Sequence, residues 1–180
     1  MTLIDIVTSA LVQLGRTTDS QQQEQWRDKF THIVNDGIVD MANALNLRRT
    51  DKVTVEDGEI DINKLPRRCR KIISVKKNGS TVSFTRGSST VKYKVGAEGE
   101  VDVEYRFIPQ ALSSDTDEPE LPNALHGLLV TFVCAREFQT GDYNTQRRAN
   151  MYYAAYAQGK NEARRHYGEP EAYSIDNVRW

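Results

Sequence analysis

Residues 101–138 read VDVEYRFIPQALSSDTDEPELPNALHGLLVTFVCAREF, and this stretch contains the change from strand to helix that decides the fold. Over residues 101–107, apolar side chains alternate with polar ones, which predicts a strand with one buried face. Pro109 ends that strand, and a polar, acidic linker follows it. From Pro122 onward, apolar residues recur at helical spacing over much of the circumference. The stretch therefore predicts the last strand of a β region, followed by a buried central helix.

Upstream of this stretch, residues 51–107 keep the same period of two. The pairs Asp57-Gly58 and Asn78-Gly79 are typical of two-residue hairpin turns, because both residues readily adopt a positive φ. About six short strands joined by such turns predict a small antiparallel sandwich or barrel-like sheet. We expect Val82 and Phe84 to share the strand that returns from Asn78-Gly79.

Both ends of the chain have a helical period instead. We expect helices over residues 3–14, 20–46, 122–141 and 144–167. Thr2 with Asp5, and Ser20 with Gln23, have the form of N-terminal capping boxes. Gly15 suits the end of the first helix, because glycine adopts the left-handed conformation without strain.

These patterns predict an α+β fold in which a bundle of about four helices contains an inserted, small antiparallel β module and is followed by an extended C-terminal tail. We expect N-terminal helices of the bundle within residues 1–50 and the β module within residues 51–110. The C-terminal helices of the bundle are expected within residues 111–168, and the tail within residues 169–180.

The composition is that of a folded globular protein, with 38% hydrophobic and 27% charged residues among 180. The formal net charge of −1 gives no overall basic field of the kind that nucleic-acid-binding proteins carry. Cys69 and Cys134 are far apart in sequence, so we expect two reduced thiols in or near the core. We expect neither a signal peptide nor a membrane span, and assembly in a cytoplasm.

Residues capable of catalysis or metal binding are scattered. His32, His126 and His166 fall on three different predicted helices, where solvated or capping roles are expected. The carboxylates of the acidic linker are expected to be solvated; they are Asp115, Asp117, Glu118 and Glu120. The sequence has no phosphate-binding glycine loop and no zinc-binding pattern. We therefore expect no catalytic residues, no metal and no cofactor, and a protein that is not an enzyme.

Two surface features point to partners. Six cations crowd one predicted strand and its approach, and either DNA phosphates or an acidic partner are possible ligands, as is a merely solvated strand. These six are Arg67, Arg68, Arg70, Lys71, Lys76 and Lys77. Three tyrosines of the last helix, Tyr152, Tyr153 and Tyr156, either belong to the core or lie at an interface between subunits.

The predicted tail contains apolar residues without a helical or hairpin pattern that would bury them. We expect it either to fold back on its own domain or to insert into a partner groove, as anchoring aromatic residues do. The residues concerned are Tyr173, Ile175, Val178 and Trp180.

The order of these elements resembles the head-to-tail connector (adaptor) proteins of tailed bacteriophages, a group that includes tubular tail proteins and gatekeepers. The likeness is carried by the two N-terminal helices, by LPRRCRKIISVKKNG at 65–79, by the stretch at 101–138, and by RANMYYAAYAQGKNEARRHYG at 148–168. Together these cover nearly the whole chain.

The resemblance implies a structural protein of the virion neck, assembled in the bacterial host, that forms a dodecameric ring between the portal and the tail. It implies that the β module faces a downstream tail or nozzle protein and that DNA passes through the ring without being read. It also implies that the tail clasps the portal protein through Tyr173, Ile175, Val178, Arg179 and Trp180.

Two other functions stay open at this point. A stopper or tail-completion protein of the neck would bind on the tail side of the ring instead of the portal side. A DNA-binding module would use the basic strand, and its affinity would fall steeply with salt.

Overall fold

The computed structural model describes residues 1–87, 91–140 and 142–168 of the chain. Within these residues, four helices bracket the strands: α1 (Leu3–Gln13), α2 (Ser20–Leu45), α3 (His126–Glu137) and α4 (Tyr143–Tyr167). Single turns of 3₁₀ helix lie at Ile62–Lys64, Asn123–Leu125 and Phe138–Thr140. The expected α+β class, with helices at both ends and strands between them, is confirmed.

The strands of the described residues are antiparallel and form two sheets. They are β1 (Arg48–Val55), β2 (Glu59–Asp61), β3 (Arg68–Lys77), β4 (Ser80–Val82), β5 (Phe84–Arg86), β6 (Lys92–Val95) and β7 (Gly99–Ile108). The larger sheet has the order β1-β7-β3-β4, and the smaller has the order β2-β6-β5. The first strand begins at Arg48, three residues earlier than the sequence period indicates.

The helix ends follow the sequence signals, with one correction. Thr2 and Asp5 form the expected capping box, and Gly15 has a φ of +71°. Helix α2, however, is capped by Asp19, whose carboxylate accepts from the backbone N–H of Gln22, while Ser20 is already its first helical residue. The cap lies one residue upstream because the extended backbone of Asp19 brings its carboxylate over the first turn. The α-helical part of α3 stops at Glu137, and Gly141, its expected end, lies outside the described residues.

Both predicted turns form, but strand pairing differs from the simplest hairpin scheme. Asn78 and Gly79 connect β3 to β4, with φ values of +51° and +79°. The turn at Asp57-Gly58 closes on a single bridge, and β1 then pairs with β7 along eight residues. β1 pairs with β7 because β2 has three residues and therefore offers fewer backbone hydrogen bonds than the longer strand β7.

The strand expected to hold both Val82 and Phe84 is divided. It breaks at Ser83, whose carbonyl accepts a hydrogen bond from the N–H of Gly96 at 3.0 Å. Val82 ends β4 in the larger sheet, and Phe84 starts β5 in the smaller one. The single expected strand is wrong, because this crossing bond transfers the chain from one sheet to the other.

The buried apolar residues form two clusters, one among the helices and one among the strands. Helix α3 is central to the first cluster, as its apolar circumference predicts. It is approached closely by two glycines: a methyl group on Gly37 of α2 would lie 2.9 Å from Phe132, and one on Gly159 of α4 would lie 2.5 Å from Leu128. These glycines allow α2 and α4 to pack against α3 at short range.

Candidate functional site

The basic strand predicted from the sequence is β3, and its exposed cations lie on the outer face of the larger sheet. On β7, buried residues alternate with outward ones, so that Glu100, Asp102, Glu104 and Arg106 face away from the core. On β3, the register skips one residue between Cys69 and Lys71. This bulge lets Arg70 and Lys71 both be exposed, where strict alternation would hide one of them.

One row of this outer face consists of three cations. Arg48 of β1 lies opposite Arg106 of β7, and Arg106 lies opposite Lys71 of β3. Side chains directly opposite on one face of a sheet are neighbours, and like charges there destabilise the pairing. Arg68 and Arg70 extend this row along β3. We call these five residues the cation row.

A second row, four residues further along β1 and β7, is balanced. Lys52 and Lys76 flank Asp102, so each cation there has a carboxylate opposite. Between the two rows, Glu104 accepts hydrogen bonds from Arg48 at 2.8 Å and Ser74 at 2.9 Å. Arg48 first, and then Ser74, hold the pKa of the Glu104 carboxyl below its usual value. Positive charge therefore accumulates at one end of the face.

The six cations predicted as one patch are divided by the structure. Arg68, Arg70 and Lys71 belong to the cation row, whereas Arg67 forms a forked ion pair with Glu120 at 2.6–2.9 Å. Lys76 lies in the balanced row, and the ammonium of Lys77 donates to the carbonyl of Glu98. Sequence reasoning missed Arg48 and Arg106, which come from strands distant in sequence. Their outward positions follow from alternation, but their place beside β3 needs the strand order.

Three of the four carboxylates of the acidic linker have partners, which corrects their expected solvated state, whereas Glu118 is exposed as expected. Asp115 accepts from Arg27 at 2.6 Å, and Glu120 pairs with Arg67. One carboxylate oxygen of Asp117 accepts from the N–H groups of Ser113 and Ser114, both at 2.8 Å. Two of these partners are arginines distant in sequence, and their ion pairs fix the position of the linker between β7 and α3.

The three tyrosines of α4 occupy different environments. Tyr156 is buried, its ring lies 4.8 Å from that of Phe132, and its hydroxyl donates to Asp40 at 2.6 Å. Tyr152 stacks on Phe138 at 5.7 Å, while Tyr153 is 52% exposed. Tyr156 therefore belongs to the hydrophobic core of the chain, so that of the three tyrosines Tyr153 is the most exposed to solvent and Tyr152 is partly exposed.

A groove of about 450 Å³ runs beside Tyr152. Its lining is mostly apolar and comes from α1, α4 and the turn before α4: Gln13, Phe138, Arg148, Met151, Tyr152 and Ala155. Met151 is 67% exposed. The outer side of α4 thus presents apolar surface next to arginine.

Groups that serve nucleophilic or acid–base chemistry elsewhere are held inert here. Burial raises the pKa of Cys69 to about 11 and that of Cys134 to about 12, so both thiols stay protonated. Burial and a hydrogen bond to an aspartate raise the pKa of Tyr105 and of Tyr156. These four side chains therefore suit packing better than catalysis.

The three histidines do not share one environment. His32 and His166 are exposed, as expected. His126 is instead buried, with its ring nitrogens 3.0 Å from the amino group of Met1 and 3.1 Å from the carbonyl of Leu121. Its role is to join the N-terminus of the chain to the start of α3.

Neither a metal site nor a membrane span is found in the part of the chain that the structure describes. Its histidines, cysteines and carboxylates do not gather into a group that would hold a metal ion. Among the described helices, none combines the length and the apolar character needed to cross a bilayer. The residues expected to bind the portal, namely Tyr173, Ile175, Val178, Arg179 and Trp180, lie outside the described residues.

Comparison with known protein families gives a match over the second half of the chain. A family model described as "SU10 adaptor protein" matches residues 80–179, which is more than half of the 180 residues. The match begins in β4 and includes β7, the acidic linker, α3 and α4. No curated protein matches the sequence.

Proposed function

The chain belongs to the SU10 adaptor protein family, and from that membership we propose that it is the head-to-tail adaptor of a tailed bacteriophage virion, forming a ring below the portal. The observation that carries the proposal is the family match over residues 80–179, together with the order of elements that the resemblance requires. The predicted likeness to phage connector proteins is thereby confirmed. An adaptor acts through contacts with other virion proteins, and the role proposed here is structural.

In the proposed assembly, twelve copies form a ring in the virion neck after synthesis in the host cytoplasm. The C-terminal segment binds the portal through Tyr173, Ile175, Val178, Arg179 and Trp180. A downstream tail or nozzle protein binds the opposite side, and DNA passes through without being read. Tyr152 and Tyr153 contribute to contacts between subunits, and Tyr156 supports them from within the core.

Two features of the described residues support a structural role. The thiols and tyrosines most shielded from water have raised pKa values, which suits packing and not catalysis. Charged and apolar faces that suit protein partners lie instead on the larger sheet and on α4.

The test combines the purified chain with the portal of its own phage and images the product by electron microscopy. We expect a ring of density on one side of the portal. Removal of residues 171–180 should abolish attachment while the circular dichroism spectrum and the urea midpoint stay unchanged. Attachment of the shortened chain would overturn the role of the tail, and absence of attachment by the full chain would overturn the proposed function.

A stopper or tail-completion protein is the nearest alternative within the virion neck. In that case the chain would bind the tail side of a preformed neck and would not attach to the bare portal. Imaging the chain with the portal alone, and then with a portal that already carries its adaptor, separates these two outcomes.

A DNA-binding module is the second candidate function, and the cation row is the specific observation that favours it. Like charges placed side by side on a sheet reduce stability, and an anion beside them relieves the repulsion, as Glu104 does for Arg48 within the protein. Substituting Arg70 and Lys71 by alanine would then reduce binding to duplex DNA. The slope of log affinity against log salt would also fall by about one for each phosphate that the variant no longer neutralises. Alanine at Lys92 and Lys94, which are also exposed but lie on β6, is the matched control.

A further inference from the structure

The outer side of α4 carries a regular stripe whose ends are cationic and whose centre is apolar. Arg147, Met151, Ala154, Gln158 and Arg165 recur every three or four residues or at multiples of that spacing, so they lie along one side of the helix. All five are exposed. Arg148 lies next to the start of this stripe and also lines the apolar groove. Near the other end, the exposed Glu162 lies between Gln158 and Arg165 and accepts a hydrogen bond from Gln158 at 3.1 Å, so the stripe is cationic in net charge but not at every charged position. We call the first five residues the α4 stripe.

The outer side of α2 carries a stripe of opposite charge. Gln25, Asp28, His32, Asp36 and Val39 follow the same spacing of three or four residues, and all are exposed. The carboxylate of Asp28 is 90% exposed. Glu24 adds a further exposed carboxylate on one side of the stripe, and Lys29, whose ammonium pairs with Glu137, lies on the other side. We call the first five residues the α2 stripe.

The two helices also match in length, since α2 has 26 residues and α4 has 25. At about 1.5 Å per residue, the α4 stripe is about 27 Å long and the α2 stripe about 21 Å. Arg147 and Arg165 are about 27 Å apart and Asp28 and Asp36 about 12 Å, so one register places one of the two arginines over the aspartates. Apolar side chains lie within each stripe, at Met151 and Ala154 on α4 and at Val39 on α2. Apolar residues combined with charges on the same face have the usual anatomy of a protein interface.

We propose that the α4 stripe of one copy of this chain binds the α2 stripe of a second copy. The occupant of the exposed face of α4 is then a helix of the same protein, selected by charge complementarity. This inference rests on the proposed function for its biological setting, because it supplies one contact between neighbouring subunits of the ring, in addition to the tyrosine contacts proposed above.

Pairing a stripe with its own equivalent is disfavoured by the same charges. Two α4 stripes packed antiparallel would bring Arg147 of one copy near Arg165 of the other, and two α2 stripes would place carboxylates together. Like charges that face each other across an interface weaken it and suppress the wrong pairing. The contact therefore joins two different faces, and a contact of that kind continues from copy to copy until the rotation closes a ring.

Charge reversal tests the pairing without knowledge of its register. One variant carries Asp28→Lys and Asp36→Lys, which reverses the α2 stripe, and another carries Arg147→Glu and Arg165→Glu, which reverses the α4 stripe. Association of the full-length chain is measured by sedimentation velocity up to about 1 mM, a concentration at which even a contact with a Kd of about 1 mM is substantially formed. Far-ultraviolet circular dichroism and thermal melting check that each variant folds.

Each reversed variant alone should associate at least about tenfold more weakly than the unmodified chain, because like charges then face each other. An equimolar mixture of the two variants should recover association, since the reversed α4 stripe of one meets the reversed α2 stripe of the other. A fourfold variant that carries both reversals in one chain should recover association by itself. Arg86→Glu with Lys94→Glu, on exposed positions of the β region, makes the same change in net charge as the α4 reversal and should have no such effect.

Three outcomes would overturn the inference: a mixture no tighter than its components, equal weakening by the control variant, or an unmodified chain that stays monomeric at about 1 mM. The portal experiment answers a separate question. A chain that attaches to the portal but ignores charge reversal keeps the proposed function and loses this interface. A chain that follows the reversal pattern but never attaches to a portal keeps the interface and loses the proposed function.

Discussion

The helical region and the sheet region each bury a tyrosine that donates its hydroxyl to a cation-bound aspartate. In the helices, Tyr156 donates to Asp40 at 2.6 Å, and Lys160 lies 2.7 Å from the same carboxylate oxygen. In the larger sheet, Tyr105 donates to Asp51 at 2.6 Å. Arg49, two residues before Asp51 on β1, donates from its guanidinium to both carboxylate oxygens of Asp51 at 2.7 Å.

The two triads differ in how far along the chain their members lie. Arg49 and Asp51 are two residues apart on β1, so the sheet triad is half assembled as soon as that strand is extended. Asp40 and Lys160 are 120 residues apart, on α2 and α4. The helical triad therefore forms after both ends of the chain have met, and it ties the segment before the strands to the segment after them.

The hydrophobic cores of the two regions also differ, with the larger core among the helices. Among the described residues, twenty buried side chains form the helical cluster and ten form the sheet cluster. A substitution that leaves a cavity should therefore be harder to accommodate among the helices, where more neighbours hold their positions.

The largest expected effect comes from truncating a leucine in each region. Leu129 on α3 is 0% exposed, and its side chain would lie 3.2 Å from a methyl group if Gly37 carried one. Leu65, at the end of a 3₁₀ turn, is 8% exposed. We expect Leu129→Ala to lower the free energy of unfolding by about 4 kcal/mol and Leu65→Ala by about 2 kcal/mol. Urea unfolding followed by circular dichroism measures both. Equal losses would contradict the difference between the cores.

For the next effect in size, the larger loss of stability is expected in the sheet region and the smaller one in the helical region. The carboxylate of Asp40 is 42% exposed, so water can replace the missing hydroxyl, but that of Asp51 is 14% exposed. We expect Tyr105→Phe to lower the free energy of unfolding by about 2 kcal/mol and Tyr156→Phe by about 1 kcal/mol, because water cannot reach the shielded carboxylate to replace the hydroxyl. The same urea experiment decides. A larger effect for Tyr156→Phe would show that burial of the aspartate does not control the result.

Features set by neighbouring residues were predictable from the sequence. The capping box at Thr2 and the turn at Asn78-Gly79 each involve residues within three positions of one another. Helical and strand periods likewise reflect which face of a short segment is apolar. The four helices and the run of short antiparallel strands between them were therefore predictable, with ends displaced by a few residues.

Features set by residues distant in sequence were not predictable in this way. The cation row depends on β7 lying between β1 and β3, and on the bulge that exposes both Arg70 and Lys71. The acidic linker was expected to be solvated because its partners, Arg27 and Arg67, lie far upstream. Local patterns indicate which residues face outward, but they do not indicate which outward faces become neighbours.

A smaller effect concerns two asparagines with left-handed backbone, one in each region. Asn46 ends α2 with a φ of +53°, and Asn78 opens the β3–β4 turn with a φ of +51°. We expect alanine at either position to lower stability by about 1 kcal/mol, because it keeps the Cβ that crowds the carbonyl in that conformation but lacks the side-chain amide that lets asparagine hydrogen-bond locally. Glycine should change stability by less than about 0.5 kcal/mol. Thermal melting of the four variants checks this, and a harmless alanine at Asn78 would contradict a strained turn.

The smallest effect concerns the pH at which stability is lost through one carboxyl of each region, Glu137 among the helices and Asp51 in the sheet. Burial of Glu137 on α3 raises its pKa, but hydrogen bonds from Lys29 at 2.6 Å and Arg16 at 2.7 Å outweigh burial and lower the pKa below 4.5. At Asp51, the hydrogen bonds from Arg49 are the main reason that the pKa lies below 3.8.

A carboxyl whose pKa is lower in the folded protein stabilises it above the unfolded pKa, and that contribution disappears as the pH falls through the folded pKa. Unfolding free energy should therefore decline on acidification first through glutamates with lowered pKa values, including Glu137 in the helical region and Glu104 in the sheet, from about pH 4.5, and then through Asp51, from about pH 3.8. Glu137→Gln should flatten the upper part of this decline and Asp51→Asn the lower part, in urea unfolding measured between about pH 6 and pH 3. Because each variant leaves the other carboxyl in place, each serves as the control for the other. Flattening of the same part by both would mean that Glu137 and Asp51 do not titrate separately.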